Sequence, residues 1–100
     1  LRRAYRQIKN IALGDARSRL GAKIFALAHV HGKKTPQGIV ITVPLSATDL
    51  AGMCSLARES VSRILSELKE SEIITMNKKE ITVNDLETLR KWINEHQASL

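Results

Sequence analysis

TDLAGMCSLARESVSRILSELKESEII, residues 48–74, reads as two helices joined by a tight turn. In the second helix Val61, Ile64, Leu65 and Leu68 recur at i, i+3, i+4 and i+7, the spacing that gathers side chains on one side. Arg58, Glu59, Ser62 and Arg63 fall together on the opposite side. One side is suited to packing and the other to solvent. The arginine fork matches O6 and N7 of guanine in the major groove, and a carboxylate suits the N4 amino group of cytosine. A single G·C pair can therefore engage both Arg63 and Glu59.

The spacing around the turn supports this more than the charges do. Leu50, Ala51, Cys54, Leu56, Val61 and Ile64 put apolar or small residues where two steeply crossing helices must touch, and Ala51 permits close approach. The competing reading is an ordinary helical hairpin whose polar side is merely solvated.

One hundred residues make one domain with a modest core and no room for a separate substrate domain. With 43% hydrophobic residues and only three aromatics, that core must be aliphatic. The longest apolar runs, such as 39–43, are far too short to span a bilayer. The basic start LRRAYRQIKN lacks the apolar stretch of a signal peptide. The expected location is cytoplasmic, with no membrane partner. The single cysteine, Cys54, can form no internal disulfide or multi-cysteine metal site.

The net charge of +6 is unevenly placed. Residues 1–34 hold nine Lys/Arg against one acid, and residues 35–100 hold seven against nine, so the helix pair is not itself a basic patch. A duplex-binding surface would draw phosphate contacts from the first third and from Lys78 and Lys79, leaving base contacts to the reading helix. Ser46, Thr48 and Ser60 complete the candidate backbone contacts. Equally, Arg2, Arg3, Arg6 and Lys9 can be the solvated side of a helix that continues into a missing partner segment.

Residues 1–12 are helical and mixed, with Ile8, Ile11 and Ala12 as the packing side. Gly14-Asp15 is expected to interrupt them, Asp15 capping a second helix over 16–30 with Leu20, Ile24, Leu27 and Ala28 as its stripe. The abrupt helical start suggests a piece of a longer chain. His29 and His31 fall near the helix C-terminus, where cations are favoured. Residues 33–38, KKTPQG, read as a turn, and the β-branched run 39–43 as a strand ended by Pro44. Ser46 with Asp49 three residues on predicts a capping box. Beyond the reading helix, 73–76 and 81–83 flank the basic tip 77–80, a hairpin expected beside the helix pair as its wing. Asn84 and Glu87 signal a last helix that buries Leu86, Leu89, Trp92 and Ile93 and ends near Gln97. The fold class is mainly α with a small β hairpin: a winged helix-turn-helix.

The run LSATDLAGMCSLARESVSRILSEL, the following II and the hairpin KEITVNDL together resemble the C-terminal DNA-binding domain of Crp/Fnr transcription regulators. The upstream DARSRL, residues 15–20, resembles that family's hinge. The resemblance divides the chain into a dimerisation-helix tail, 1–13, and a winged helix-turn-helix domain, 14–100. It implies double-stranded DNA as partner, a homodimer in the full-length protein with this piece alone monomeric, and RNA polymerase as a further partner. The family's E-x-x-x-R is matched by Glu59 and Arg63. Ser62 resembles the Fnr branch, which reads TTGA, whereas the Arg58-Glu59 pair resembles Crp-like members, which read TGTGA; Ser62 favours TTGA. The implied roles are Arg63 to guanine, Glu59 to its paired cytosine, Ser62 to the neighbouring base region and Arg58 to base or phosphate.

Two positions depart from the family pattern. Ser55 stands where the turn usually has Gly, and Ala57 where many members have a capping Ser or Thr, so somewhat weaker docking is expected. The family's β-barrel sensor domain is not in this sequence, so its effector is unreadable and no cofactor is expected in this piece. An enzyme joining Cys54 to His29, His31 or His96 is disfavoured because Cys54 falls on the packing side. His29 and His31, two apart on a helix, do not face one another as metal ligands. The stronger rival is a winged helix that contacts protein without reading DNA, for which the acidic balance of residues 35–100 speaks.

Overall fold

The computed structural model describes residues 12–96. A long helix α1, Ala12–His31, leads into a hairpin of β1, Gly32–Thr35, and β2, Gly38–Ile41. The helix pair α2, Ala47–Cys54, and α3, Arg58–Glu70, comes next. A second hairpin, β3, Ile74–Asn77, and β4, Glu80–Val83, precedes the last helix α4, Leu86–His96. The architecture is the expected winged helix-turn-helix.

The sheet is larger than the single wing hairpin predicted. Pro36 and Gln37 reverse the chain so that Lys33 faces Val40 and Thr35 faces Gly38. Strand β2 then pairs with β4, giving one antiparallel sheet in the order β1-β2-β4-β3. Residues 33–35 are therefore strand and not turn. Their reading failed because β1 is a largely exposed edge strand, which needs no apolar alternation and tolerates lysines. Gly38 has φ +137°, and a Cβ there would lie 2.3 Å from the Val83 carbonyl oxygen, so the contact with β4 requires glycine. Strand β2 stops at Ile41, short of the predicted Val43. The backbone N–H and hydroxyl of Thr42 both donate to the His31 carbonyl, closing the end of α1.

Gly14 and Asp15 do not break the first helix, and Asp15 is not its cap: α1 runs unbroken from Ala12. One interior glycine costs only about 1 kcal/mol, too little to end a helix whose later turns are held by packing. Arg2, Arg3, Arg6, Lys9, Ile8 and Ile11 lie outside the described residues.

The predicted stripe of α1, Leu20, Ile24, Leu27 and Ala28, is buried, and α1 touches all three other helices and the first hairpin. Its closest partner is α4, which buries Leu89, Trp92 and Ile93 against it. A Cβ on Gly21 would lie 2.7 Å from Ile93 Cγ1 and 3.0 Å from the Trp92 ring, so glycine lets the two helices approach.

Helix α4 is capped one residue later than expected. The Asp85 carboxylate accepts from the Thr88 backbone N–H at 3.2 Å and the Thr88 hydroxyl at 2.7 Å. Asn84 instead donates to the Glu72 carbonyl at 2.6 Å and accepts from the Thr75 hydroxyl, tying the wing to the end of α3. Glu87 pairs with Arg90.

Three chain reversals place non-glycine residues in the left-handed region, Lys78 at the wing tip with φ +60° and the two that flank α3. Ser55, between α2 and α3, has φ +57° and ψ +46°. Glu72, after α3, has φ +60°, with Ile73 N–H donating to Leu68 and Glu72 N–H to Lys69, a Schellman ending. A side chain in this region costs about 1–2 kcal/mol, partly recovered in the unfolded chain, which glycine makes more flexible. Ser55→Gly and Glu72→Gly should each raise stability by about 0.5–1 kcal/mol. Urea denaturation checks this; an unchanged or lower midpoint would show that neither turn is strained.

Candidate nucleic-acid interface

Helix α3 divides as its sequence predicts. Val61 and Leu68 are fully buried, and Ile64 and Leu65 nearly so. On the other side Arg58, Glu59 and Arg63 are exposed and Ser62 is half-exposed. Among the described residues, none of these four side chains makes a hydrogen bond or ion pair within the domain. Their donors and acceptors all remain available to a ligand. Glu59, in the first turn of α3, also interacts favourably with the positive end of the helix dipole.

Both departures from the family pattern have a structural counterpart. Ser55 takes the left-handed turn itself, its N–H and that of Leu56 converging on the Ala51 carbonyl. Ala57 occupies the N-cap of α3 and supplies no side-chain hydrogen bond. The first amides of α3 therefore lack the usual hydroxyl and stay open to water or to an anion.

Helix α2 and the wing tip are held side by side. The Leu45 N–H donates to the Lys79 carbonyl at 2.9 Å, fastening the wing turn to the segment that enters α2. The capping box is present: Ser46 Oγ accepts from the Asp49 N–H at 3.1 Å, and Asp49 Oδ2 accepts from the Ser46 N–H at 2.9 Å. The Ser46 hydroxyl also donates to Asp49 at 2.9 Å, so its proton is already committed. These bonds from Ser46 hold the Asp49 carboxyl below the usual carboxylate range, and the nearby Lys79 charge adds to the effect. Of the five candidate backbone contacts, Thr48, Lys78 and Lys79 are exposed and Ser46 and Ser60 half-exposed.

Two cations of the first third are engaged in holding the reading unit. Arg17 Nε donates to Glu67 Oε1 at 2.9 Å and Arg17 Nη2 to Glu67 Oε2 at 2.8 Å, a two-pronged bridge from α1 to α3. Arg19 donates to the Cys54 carbonyl, at the end of α2. Sequence reasoning missed both roles: Arg17 and Glu67 are fifty positions apart, and no local pattern links them. Lys23 is half-exposed and Lys33 and Lys34 are exposed.

Cys54 is buried, as its place in the helix pair predicts, and burial pushes its thiol above the ordinary range, with Lys23 and Arg19 opposing. Such a thiol is a poor nucleophile. Among the described residues no group of three His, Cys, Asp or Glu is placed to hold a metal ion, and no helix is long and apolar enough to cross a membrane.

Comparison with known proteins agrees with this geometry. The model of the Crp-like helix-turn-helix domain matches residues 18–92. The chain is 31% identical over 77 residues to the anaerobic regulatory protein of Bacillus subtilis, covering 77% of this chain and 32% of that one. It is 37% identical over 76 residues to the global nitrogen regulator of Synechococcus elongatus, covering 76% and 34%. The CO-dependent transcription factor CooA from Carboxydothermus hydrogenoformans superposes with a TM-score of 0.77 at 30% identity, over 86% of this chain and 40% of that one. Oxidized CprK in complex with o-chlorophenolacetic acid superposes with a TM-score of 0.76 at 26% identity, over 96% and 40%. The chain thus belongs to the Crp-like helix-turn-helix domains of the Crp/Fnr family of transcription regulators. It spans about a third of the length of these curated relatives.

The α1–α3 bridge gives the fold an acid-sensitive joint. The Arg17 hydrogen bonds hold the Glu67 carboxyl below its usual range. A group depressed in this way contributes its stability above the unfolded pKa, about 4.3, and loses it as pH falls through the folded one. The partly exposed pair should contribute about 1 kcal/mol. Between about pH 5 and pH 3 wild type should lose more stability than Glu67→Gln. Denaturation across that window checks this; equal losses would mean the bridge contributes nothing in solution.

Proposed function

We propose that this domain reads DNA sequence by placing α3 in the major groove, with Arg63 on a guanine and Glu59 on its paired cytosine. Ser62 then faces the neighbouring base, and Arg58 reaches base or phosphate. The observation that carries this reading is the open side of α3: four polar side chains of base-reading chemistry, with no partner among the described residues, on a helix whose other side is fully packed. Thr48, Ser60, Lys78 and Lys79 supply phosphate contacts. Ser46 keeps the start of α2 in place; its N–H and its hydroxyl proton both go to Asp49, so a phosphate contact there replaces one of those bonds.

On this reading the half-site is TTGA-like, because Ser62 accompanies Glu59 and Arg63. In the full-length protein two copies, joined as a homodimer, match a palindrome with half-sites about one helical turn apart. A sensor outside this sequence controls them through an effector, and the dimer acts in the cytoplasm with RNA polymerase within reach. The longer relatives, all named as regulators, support such an arrangement. No cofactor is assigned to this domain.

Fluorescence anisotropy against a TTGA palindrome, a TGTGA palindrome and a scrambled duplex, at two salt concentrations, tests the proposal. Wild type should prefer TTGA. Arg63→Ala and Glu59→Ala should each remove about 1–3 kcal/mol of discrimination while weakening scrambled binding much less. Equal losses on all duplexes would overturn the base-reading roles. Equal wild-type binding to all three, vanishing with salt, would favour a protein-contact module instead.

A further inference from the structure

Glu67 lies on α3 one turn beyond Arg63, at i+4, the spacing at which an arginine and a carboxylate can pair along a helix. A free carboxylate there competes with DNA for the very guanidinium proposed to read guanine. In the structure Arg17 holds that carboxylate, and Arg63 acts on it only through its charge, without a hydrogen bond. Both Glu67 oxygens are taken by Arg17, one by Nε at 2.9 Å and one by Nη2 at 2.8 Å, from a different helix. Arg63 is exposed and makes no hydrogen bond or ion pair among the described residues. Arg17 and Glu67 are themselves mostly covered, with side-chain exposures of 22% and 34%, so water competes poorly for their bond. A planar guanidinium meeting a carboxylate with two parallel bonds is the strongest pairing open to Glu67. An Arg63 bond along the helix would have the less favourable order, with the cation N-terminal.

We infer that Arg17 is a positioning residue for sequence reading: by turning Glu67 toward α1 with two parallel hydrogen bonds it keeps Arg63 from being captured within its own helix. The inference rests on the proposed role of Arg63. It gives the hinge-side helix a direct hold on specificity, since any movement of α1 that draws Arg17 away releases Glu67 toward Arg63.

The test uses Arg17→Ala, Arg17→Ala/Glu67→Gln and Arg63→Ala, titrated against the TTGA and scrambled duplexes. A helical i, i+4 pair is a weak competitor, so Arg17→Ala should lower the preference for the specific duplex by about 1.5- to twofold. The double variant should recover the wild-type preference, because its glutamine side chain carries no charge to hold Arg63. A bridge that merely stiffens the fold predicts the opposite, since the double variant lacks the bridge as well and would stay impaired. That result, or an unchanged preference in Arg17→Ala while Arg63→Ala loses its own, would overturn the inference and leave the base-reading role standing. If Arg63→Ala keeps full preference, the base-reading role fails. A DNA-free measurement then still judges the capture: NMR of the Arg63 Nε–H should show slowed exchange in Arg17→Ala and not in the double variant. Unslowed exchange in Arg17→Ala would refute the capture.

Discussion

The structure depends on the burial of one side of α3. Val61, Ile64, Leu65 and Leu68 are each buried, and removing such a side chain from water contributes about 1.5–3 kcal/mol. A rotation of α3 about its axis would expose some of them, so its orientation is fixed to within a fraction of a turn. Because the helix repeat ties the two sides together, fixing the apolar side also fixes where Arg58, Glu59, Ser62 and Arg63 point. Presentation of the open side is thus a consequence of core packing and needs no contact from the presented residues themselves. Helix α1 makes this possible, since its stripe lies against α2, α3 and α4 at once and its glycine at position 21 lets α4 close over it.

The ends of α3 are held unequally. At its start Ala57 gives no cap and Ser55 sits in the left-handed region, two local choices against stability. At its end the Schellman bonds, the bridge from Asn84 to Glu72 and the Arg17–Glu67 pair secure the last turns. The Arg19 bond to Cys54 secures the turn before α3 from outside. The N-terminal turn, which carries Arg58 and Glu59, is therefore anchored mainly by Val61 and by neighbours from other elements. Open amides at that end are what a phosphate prefers, so the missing cap weakens the free helix more than a bound one.

Periodicity made most of the fold legible. The helix pair, the capping box at Ser46, the wing hairpin and the buried sides of α1, α3 and α4 all follow from spacings of three, four and two. The errors arose where local signals were ambiguous. Gly14-Asp15 has the chemistry of a boundary, yet tertiary packing carries α1 through it. Lys33 and Lys34 look like loop because an edge strand can be fully polar. Asn84 and Asp85 are both good caps, and only the fold decides that Asn84 serves the wing and Asp85 the helix. The open side of α3 was legible because it lies within one helix. The bridges that support it, from Arg17 and Arg19, join residues fifty and thirty-five positions apart and leave no trace in any local window.

Charge and packing together divide the labour of binding. Residues 35–100, which hold the helix pair and the wing, carry a small excess of acid; of the basic first third, Arg17 is bound to Glu67, and Arg19, though exposed, donates to the Cys54 carbonyl. On the proposed reading, general attraction to phosphate from the described surface is accordingly modest, drawing on exposed cations such as Lys78 and Lys79 at the wing tip and Lys33 and Lys34 on the first hairpin. Weak attraction to every sequence is an advantage for a reader of a few base pairs, since competing sites vastly outnumber the correct one. Its cost is weak binding by one copy. On the proposed reading the dimer removes that cost, because the first half-site holds the second reading helix near its own at high effective concentration. On that reading affinity comes from joining two domains, and discrimination from the four side chains proposed to read bases on one side of α3.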